Sequence, residues 1–237
     1  MKGNLSIGEI KQKSFNMLRG RWTTAVILAL FYALFNGVAS GLQVYLAEAK
    51  TALLVIVILL SFAESFLDLG MRLGMLGYSR GQVPTVGCIF DAARYYPKAL
   101  FYYIPVKALF LLMNAGMLWL SGYLMQNTSG LLTLLPIVTM LAVLFGLAVL
   151  TAGFMPMLYL ILDHPDIKIG ALYATAWKYM RGNKIKLVLM QISFFGCFLL
   201  GVLTCGIALL FAIPYLYVAE SMFYNELIPA ENEESEQ

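Results

Sequence analysis

Five ionisable residues stand inside otherwise apolar stretches, where a charge is costly enough to need a partner or a task. Glu64, Asp68 and Arg72 recur at i, i+4 and i+8 and so share one stripe of a helix, with Asp68 ahead of Arg72 in the order that favours an i, i+4 pair. Lys107 follows Lys98 in the next apolar run, and Glu220 lies deep in the last one. Counted from Arg72 and from Lys98, Glu64 and Lys107 both lie roughly 12 Å further along a helix, so on antiparallel neighbours they meet. Glu220 is expected at a similar depth, competing for the same lysine. A lysine between two carboxylates makes a polar cleft open to the cytoplasm, suited to a lipid headgroup, an ion or a proton. The plain alternative is a structural ion pair, with Lys107 snorkelling to the interface.

A second set of charges sits where short amphipathic segments turn into apolar runs. Arg19 and Arg21 flank Gly20, Lys98 closes the segment 85–98, and Arg181, Lys184 and Lys186 surround Gly182-Asn183. Cations around a flexible glycine suit anionic phospholipid headgroups, and they serve equally to fix topology. Other chemistries are poorly provided for. His164 is the only histidine, which excludes sites such as HExxH and leaves it a capping role in the loop Asp163-His164-Pro165-Asp166. Asp163 and Asp166 beside it make a poor cation set without water ligands. No GxSxG, Walker A or GxGxxG pattern occurs. Cys88, Cys197 and Cys205 show no CxxC spacing and are expected as free thiols. No metal, no cofactor and no enzymatic activity is therefore expected; the expected partners are membrane lipids and other membrane proteins, and nothing in a formal charge of +3 points to nucleic acid.

These positions make sense only in lipid. Hydrophobic residues make up 61% of the chain and charged ones 12%, with a mean hydropathy of +0.80, against about half and about a quarter in soluble domains. Hydrocarbon offers the backbone no partner, so unbroken apolar runs of roughly 20 residues mean helices and not a barrel. Six spans are drawn: 22–46, 51–77, 99–123, 131–162, 185–203 and 206–226. The first carries Gly37, Ser40 and Gly41, small residues that let another helix approach; it is too long for a signal peptide ending at Ala47-Glu48-Ala49. The fourth exceeds what the bilayer requires, so a tilt or a kink at Gly153/Pro156 is expected. Thr204-Cys205-Gly206 is expected to turn the chain between the last two.

A pattern precedes each hairpin. IGEIKQKSFNMLRGR from Ile7, VGCIFDAARYYPK from Val86 and IGALYATAWKYMRGNKIK from Ile169 align with a common apolar stripe that only Lys11 interrupts. They share a small residue at i+7 (Ser14, Ala93, Ala176) and a basic one at i+12 (Arg19, Lys98, Arg181). Three amphipathic helices result, capped by Ser6 with Glu9, by Pro84-Thr85 over 85–98, and by Asp166. A second echo links Pro156-Met-Leu-Tyr-Leu with Pro214-Tyr-Leu-Tyr-Val. Lys and Arg number five up to Arg21, four from Arg72 to Lys98 and five from Lys168 to Lys186, while Lys50 stands alone opposite. Both termini and all three amphipathic helices are thereby placed in the cytoplasm. Trp22, Trp119, Tyr45, Tyr102, Tyr103 and Tyr123 fall near span ends, where interfacial aromatics belong. The sequon Asn127-Thr128-Ser129 matters only in a glycosylating pathway.

Leu162-Asp163-His164-Pro165, Met180-Arg181-Gly182-Asn183-Lys184, Ile192-Ser193-Phe194-Phe195-Gly196, Leu203-Thr204-Cys205-Gly206-Ile207, Pro214-Tyr215 and Phe223-Tyr224 resemble the bacterial integral membrane family called domain of unknown function 975. The resemblance covers most of the chain and is densest from residue 150 onward. It implies a protein of about six spans in the bacterial cytoplasmic membrane, distantly similar to the membrane domain of some glycerophosphodiester phosphodiesterases. It supplies no catalytic residues, and that chemistry would need a separate soluble domain. The reading is an all-α membrane protein: one integral domain over 1–226, built of three tandem repeats (6–77, 85–162, 168–226), then a disordered acidic tail over 227–237. Its expected role is a non-enzymatic, lipid-interacting scaffold or accessory factor; the alternative is a small-solute or lipid transporter using the cleft of Glu64, Lys107 and Glu220.

Overall fold

The computed structural model describes residues 5–45, 50–127 and 135–228. The expected turn around Glu48, the loop bearing the sequon, the start of the fourth span and the acidic tail from 229 lie outside the described residues. Within them the regular elements are helices: α1 (Ile7–Leu18), α2 (Trp22–Tyr45), α3 (Lys50–Ser79), α4 (Cys88–Asp91) with a 3-10 turn over Ala92–Arg94, α5 (Tyr96–Asn127), α6 (Leu135–Ala152), α7 (Pro156–Asp163), α8 (Ile169–Met180), α9 (Lys184–Ser193), α10 (Phe195–Leu203) and α11 (Leu209–Leu227). Three stretches are long and apolar enough to cross a membrane: Trp22–Tyr45, Tyr96–Tyr123 and Lys184–Leu203. Large apolar side chains such as Leu34, Val38, Leu111, Leu118 and Trp119 point outward, while α2 buries small Ala25, Ala29 and Ala39. That inside-out distribution belongs to a membrane-embedded helical protein.

Two helix breaks have local causes. Between α6 and α7 the chain passes through three-residue bonds, Gly153 N to Leu150 O and Phe154 N to Thr151 O, and Pro156 opens α7 in the first turn, where its missing N–H costs nothing. The kink expected at Gly153/Pro156 is therefore a true interruption, and α7 beyond it is buried along its whole apolar length. The expected fifth span is also broken, at Phe194. Here Lys11 of α1 reaches across, its Nζ donating to the Ser193 carbonyl (3.1 Å) and lying 4.6 Å from the centre of the Phe194 ring. The Ser193 hydroxyl donates to the Met190 carbonyl (2.6 Å). Lys11, the one exception in the apolar stripe, thus tends a carbonyl that faces away from the helical ladder.

The amphipathic segments do not all behave alike. α1 begins with the expected capping box: Ser6 N donates to Glu9 Oε2 (2.6 Å) and Glu9 N to the Ser6 hydroxyl (3.3 Å). These bonds hold the Glu9 carboxyl below its ordinary value. α1 and α8 each run twelve residues and bury equivalent positions, Ile10, Ser14 and Leu18 in one and Leu172, Ala176 and Met180 in the other. Each is followed by an arginine and a glycine in the left-handed region, Gly20 (φ 78°) and Gly182 (φ 86°). Asp166 does not cap α8; the cap position is Lys168.

The middle segment departs from the expected surface helix. In place of one helix over 85–98 the chain forms α4 and a 3-10 turn, α4 is preceded by Gly87 and not by a Thr85 cap, and α5 starts at Tyr96. The cause is a notch in α3. Gly70 and Gly74, one turn apart, let the segment lie directly on the helix: a Cβ at Gly70 would fall 2.7 Å from the Ile89 Cα, and one at Gly74 would fall 3.0 Å from the Cys88 sulfur. Cys88, Ile89 and Ala92 are buried there, so the small residue that packs is Ala92 and not the expected Ala93. Burial also pushes the Cys88 thiol up to about 11.

Two apolar cores result. One surrounds α7 with faces of α1, α8, α9 and the end of α11; the other lies among α2, α3 and α4. Helix α11 belongs to both, with Val218 in one and Ala219 in the next. Gly70→Ala should lower stability by about 1–3 kcal/mol in detergent unfolding, because the new methyl meets backbone. Gly37→Ala, with open space around it, should not; equal midpoints for both variants would remove the notch from this account.

Candidate functional site

α3 sets Asp68 and Arg72 one turn apart, and four other helices close on them. Arg72 Nε donates to Asp68 Oδ2 (2.9 Å), and its Nη1 donates to Glu220 Oε2 of α11 (2.9 Å) and to the Tyr159 hydroxyl of α7 (3.4 Å). Asp68 also accepts from the hydroxyls of Tyr103 of α5 (2.6 Å) and Tyr217 of α11. Gln191 Nε2 of α9 donates to the second Glu220 oxygen (2.8 Å). The guanidinium lies 4.9 Å from the Tyr217 ring centre and 5.7 Å from that of Tyr159. Two carboxylates against one guanidinium leave a formal surplus of one negative charge, spread over hydroxyl and amide donors. Side-chain exposure is only 13% for Arg72, 14% for Asp68 and 5% for Glu220. Both oxygens of each carboxylate are bonded and the guanidinium is held through Nε and Nη1, which suits a clamp better than a site awaiting substrate.

Two turns along α3 the arrangement recurs at the helix end. Arg80 makes a two-pronged pair with Asp163 of α7 (2.8 and 2.7 Å), and Asp163 accepts from the Tyr224 hydroxyl of α11 (2.9 Å). Asp163 raises the Arg80 guanidinium above its ordinary value through that bond. Asn225 joins α11 to Ser79 (3.0 Å). The spacing is regular: Arg72 on α3 meets Tyr159 of α7 and Glu220 of α11, and Arg80, just past the end of α3, meets Asp163 of α7, which Tyr224 of α11 also bonds. Tyr159 and Tyr224 stack at 5.1 Å between the two levels.

Lys107 lies apart from this cluster. Its Nζ donates to Glu64 Oε2 (3.0 Å) and to the Ser61 hydroxyl (2.9 Å) and carbonyl (2.7 Å), and the pair is more open, at 34% and 41% side-chain exposure. Glu220 does not compete for Lys107. It bonds instead to Arg72, two turns along α3 from Glu64, so Glu64, Lys107 and Glu220 are not joined in one cleft. The corner cations also divide. Arg19 and Arg181 are exposed and have no side-chain partner among the described residues. Arg21 donates to the Gly81 carbonyl (3.0 Å) and Lys98 to the carbonyls of Pro165 and Ile167, the latter at 3.1 Å. Lys184 lies over the Trp177 ring and Lys186 faces Phe223. His164 is exposed and its N–H ends α7 on the Leu160 carbonyl (2.8 Å). Asp163, spent on Arg80 and Tyr224, is not free to join it around a cation.

Over residues 5–231 the chain matches the family model described as a protein of unknown function, DUF975, and it belongs to that family. No curated protein and no solved structure matches it.

Sequence reasoning found the carboxylates and the arginine and missed the tyrosines. Tyr103 was assigned to the interface, yet it is buried and bonded to Asp68. A signal was present: in the echo Pro156…Tyr159 and Pro214…Tyr217, each tyrosine stands three residues after its proline, and both lie against Arg72. Arg72→Met should strand Asp68 and Glu220 and cost about 3–5 kcal/mol in mixed-micelle unfolding. Glu64→Gln leaves Lys107 on Ser61 and should cost roughly 1 kcal/mol. Equal losses would erase the distinction between clamp and open pair.

Proposed function

We propose that the chain is a six-span helical bundle of three related units in the bacterial cytoplasmic membrane, working as a non-catalytic, lipid-contacting scaffold or accessory factor. α2, α3, α5, α6, the α9–α10 pair and α11 are the spans of this reading, with both termini and the cation-rich corners in the cytoplasm. The near-identity of α1 and α8, in length, buried positions and the arginine–glycine corner that follows, supports two of the units. The middle unit of this reading departs from them, its opening segment folding onto the α3 notch.

One observation carries the lipid reading. Arg19 and Arg181 stand exposed at equivalent corners with no side-chain partner among the described residues, each four residues after an exposed apolar ring, Phe15 on α1 and Trp177 on α8. A cation beside an apolar ring at the start of a span is the pattern that anchors a helix under anionic headgroups. The non-catalytic reading rests on Asp68, Asp163 and Glu220 being occupied by fixed partners, with no nucleophile and base paired beside them. Each arginine should contribute about 1 kcal/mol of attraction, roughly fivefold in affinity. The double variant Arg19→Ala, Arg181→Ala should therefore co-purify several-fold less phosphatidylglycerol than the wild type, with an unchanged unfolding midpoint. Undiminished phosphatidylglycerol would reject the lipid reading.

A further inference from the structure

A polar groove lies between α2 and α3, well away from the cation corners. α2 contributes Asn36, Ser40 and Gln43 to it and α3 contributes Ser61 and Glu64, around a cavity of about 190 Å³. The two helices run antiparallel in a register set at their other ends, where the Tyr78 hydroxyl donates to the Arg21 carbonyl (2.8 Å) and Leu28 lies against Gly74. That register sets Asn36 opposite Glu64 and Gln43 opposite Val57. At 1.5 Å per residue from Trp22, Asn36 lies about 21 Å and Gln43 about 32 Å across a core of roughly 30 Å. The groove thus runs from beyond the middle of the bilayer to the face opposite the arginines.

Its lining is not self-sufficient. Asn36 spends its amide on Tyr32, donating to that carbonyl (2.9 Å), but the Ser40 hydroxyl and the Gln43 amide have no hydrogen-bond partner among the described residues. Gln43 stands at the far face, but Ser40 lies short of it, where hydrocarbon supplies no partner, so a polar group reaching in from that face would complete the lining. At the inner end Glu64 lines the groove, and Lys107 of α5 stands directly behind that lining, its Nζ 3.0 Å from Glu64 Oε2 and 2.9 Å from the Ser61 hydroxyl. Their charges sum to zero, which gives a net anion no advantage, while a group carrying both charges finds a partner for each.

We propose that this groove binds the headgroup of a zwitterionic amine–phosphate phospholipid of the far leaflet, its ammonium towards Glu64, its phosphate towards Lys107, and its remaining oxygens on Ser40 and Gln43. The site shares no residue with the Arg19 and Arg181 corners and stands or falls separately from them.

The test is native mass spectrometry of the full chain in mild detergent, titrated with phosphatidylethanolamine or phosphatidylglycerol of the same acyl chains. The wild type should retain at least one phosphatidylethanolamine that Ser40→Leu with Gln43→Leu weakens tenfold or more, and that Glu64→Gln also weakens. Arg19→Ala with Arg181→Ala should leave that signal unchanged. Should the double leucine variant fail to fold, Gln43→Ala, which only removes atoms, should shift retention in the same direction. Retention of phosphatidylethanolamine that none of the groove variants alters would overturn the proposal. So would efficient cross-linking of two copies through Gln43→Cys, which would make the groove a helix interface.

Discussion

An arginine inside an apolar bundle constrains everything around it. Arg72 needs compensation that its own helix only half provides, through Asp68 one turn earlier, and the rest must come from Glu220 on α11. Pulling Glu220 in places α11 against α3, and Gln191 then draws α9 to the same point. Tyr103 and Tyr159 bring α5 and α7. Five helices are held by one guanidinium and the two carboxylates it neutralises, and the apolar cores on either side of α11 are filled around that centre.

The other polar contacts obey the same rule, that a polar group away from water has a fixed partner. Lys11 serves the carbonyl released at the α9–α10 break, and Lys98 serves two carbonyls of the loop after α7. Glycine does the complementary work where no polar bond is available. Gly70 admits the Ile89 backbone and Gly74 the Cys88 sulfur, and this turns a prospective surface helix into part of the second core. Against this background the incompletely satisfied stripe on α2 stands out, as do Arg19 and Arg181. These open groups are the ones on which the two proposed lipid contacts rest.

Contacts within one helix were legible in the sequence, and contacts between helices mostly were not. Asp68 and Arg72 are four apart, and helical periodicity alone brings them together. Glu64 and Lys107 were matched by depth, which succeeds because both are counted from nearby cations. The same depth count failed for Glu220, since depth says nothing about which neighbour a helix faces. Tyrosines near span ends are ambiguous in the same way: Tyr123 is exposed as an interfacial ring would be, whereas Tyr103 turns inward to a carboxylate. The middle amphipathic segment misled because its apolar spacing is compatible with a surface helix, while the glycines that capture it lie in a different element. The break at Phe194 was invisible for a similar reason, as the lysine beside it comes from the other end of the chain.

The dependence of the fold on Arg72 is tested most directly by a double-mutant cycle between Arg72→Met and Glu220→Leu, with stability read from unfolding in mixed micelles. If the two side chains form one clamp, the double variant should be no less stable than the Arg72 variant, because removing Glu220 relieves the charge that the first change stranded. Strictly additive losses would mean that Arg72 and Glu220 act independently, and the clamp at the centre of the bundle would have to be abandoned.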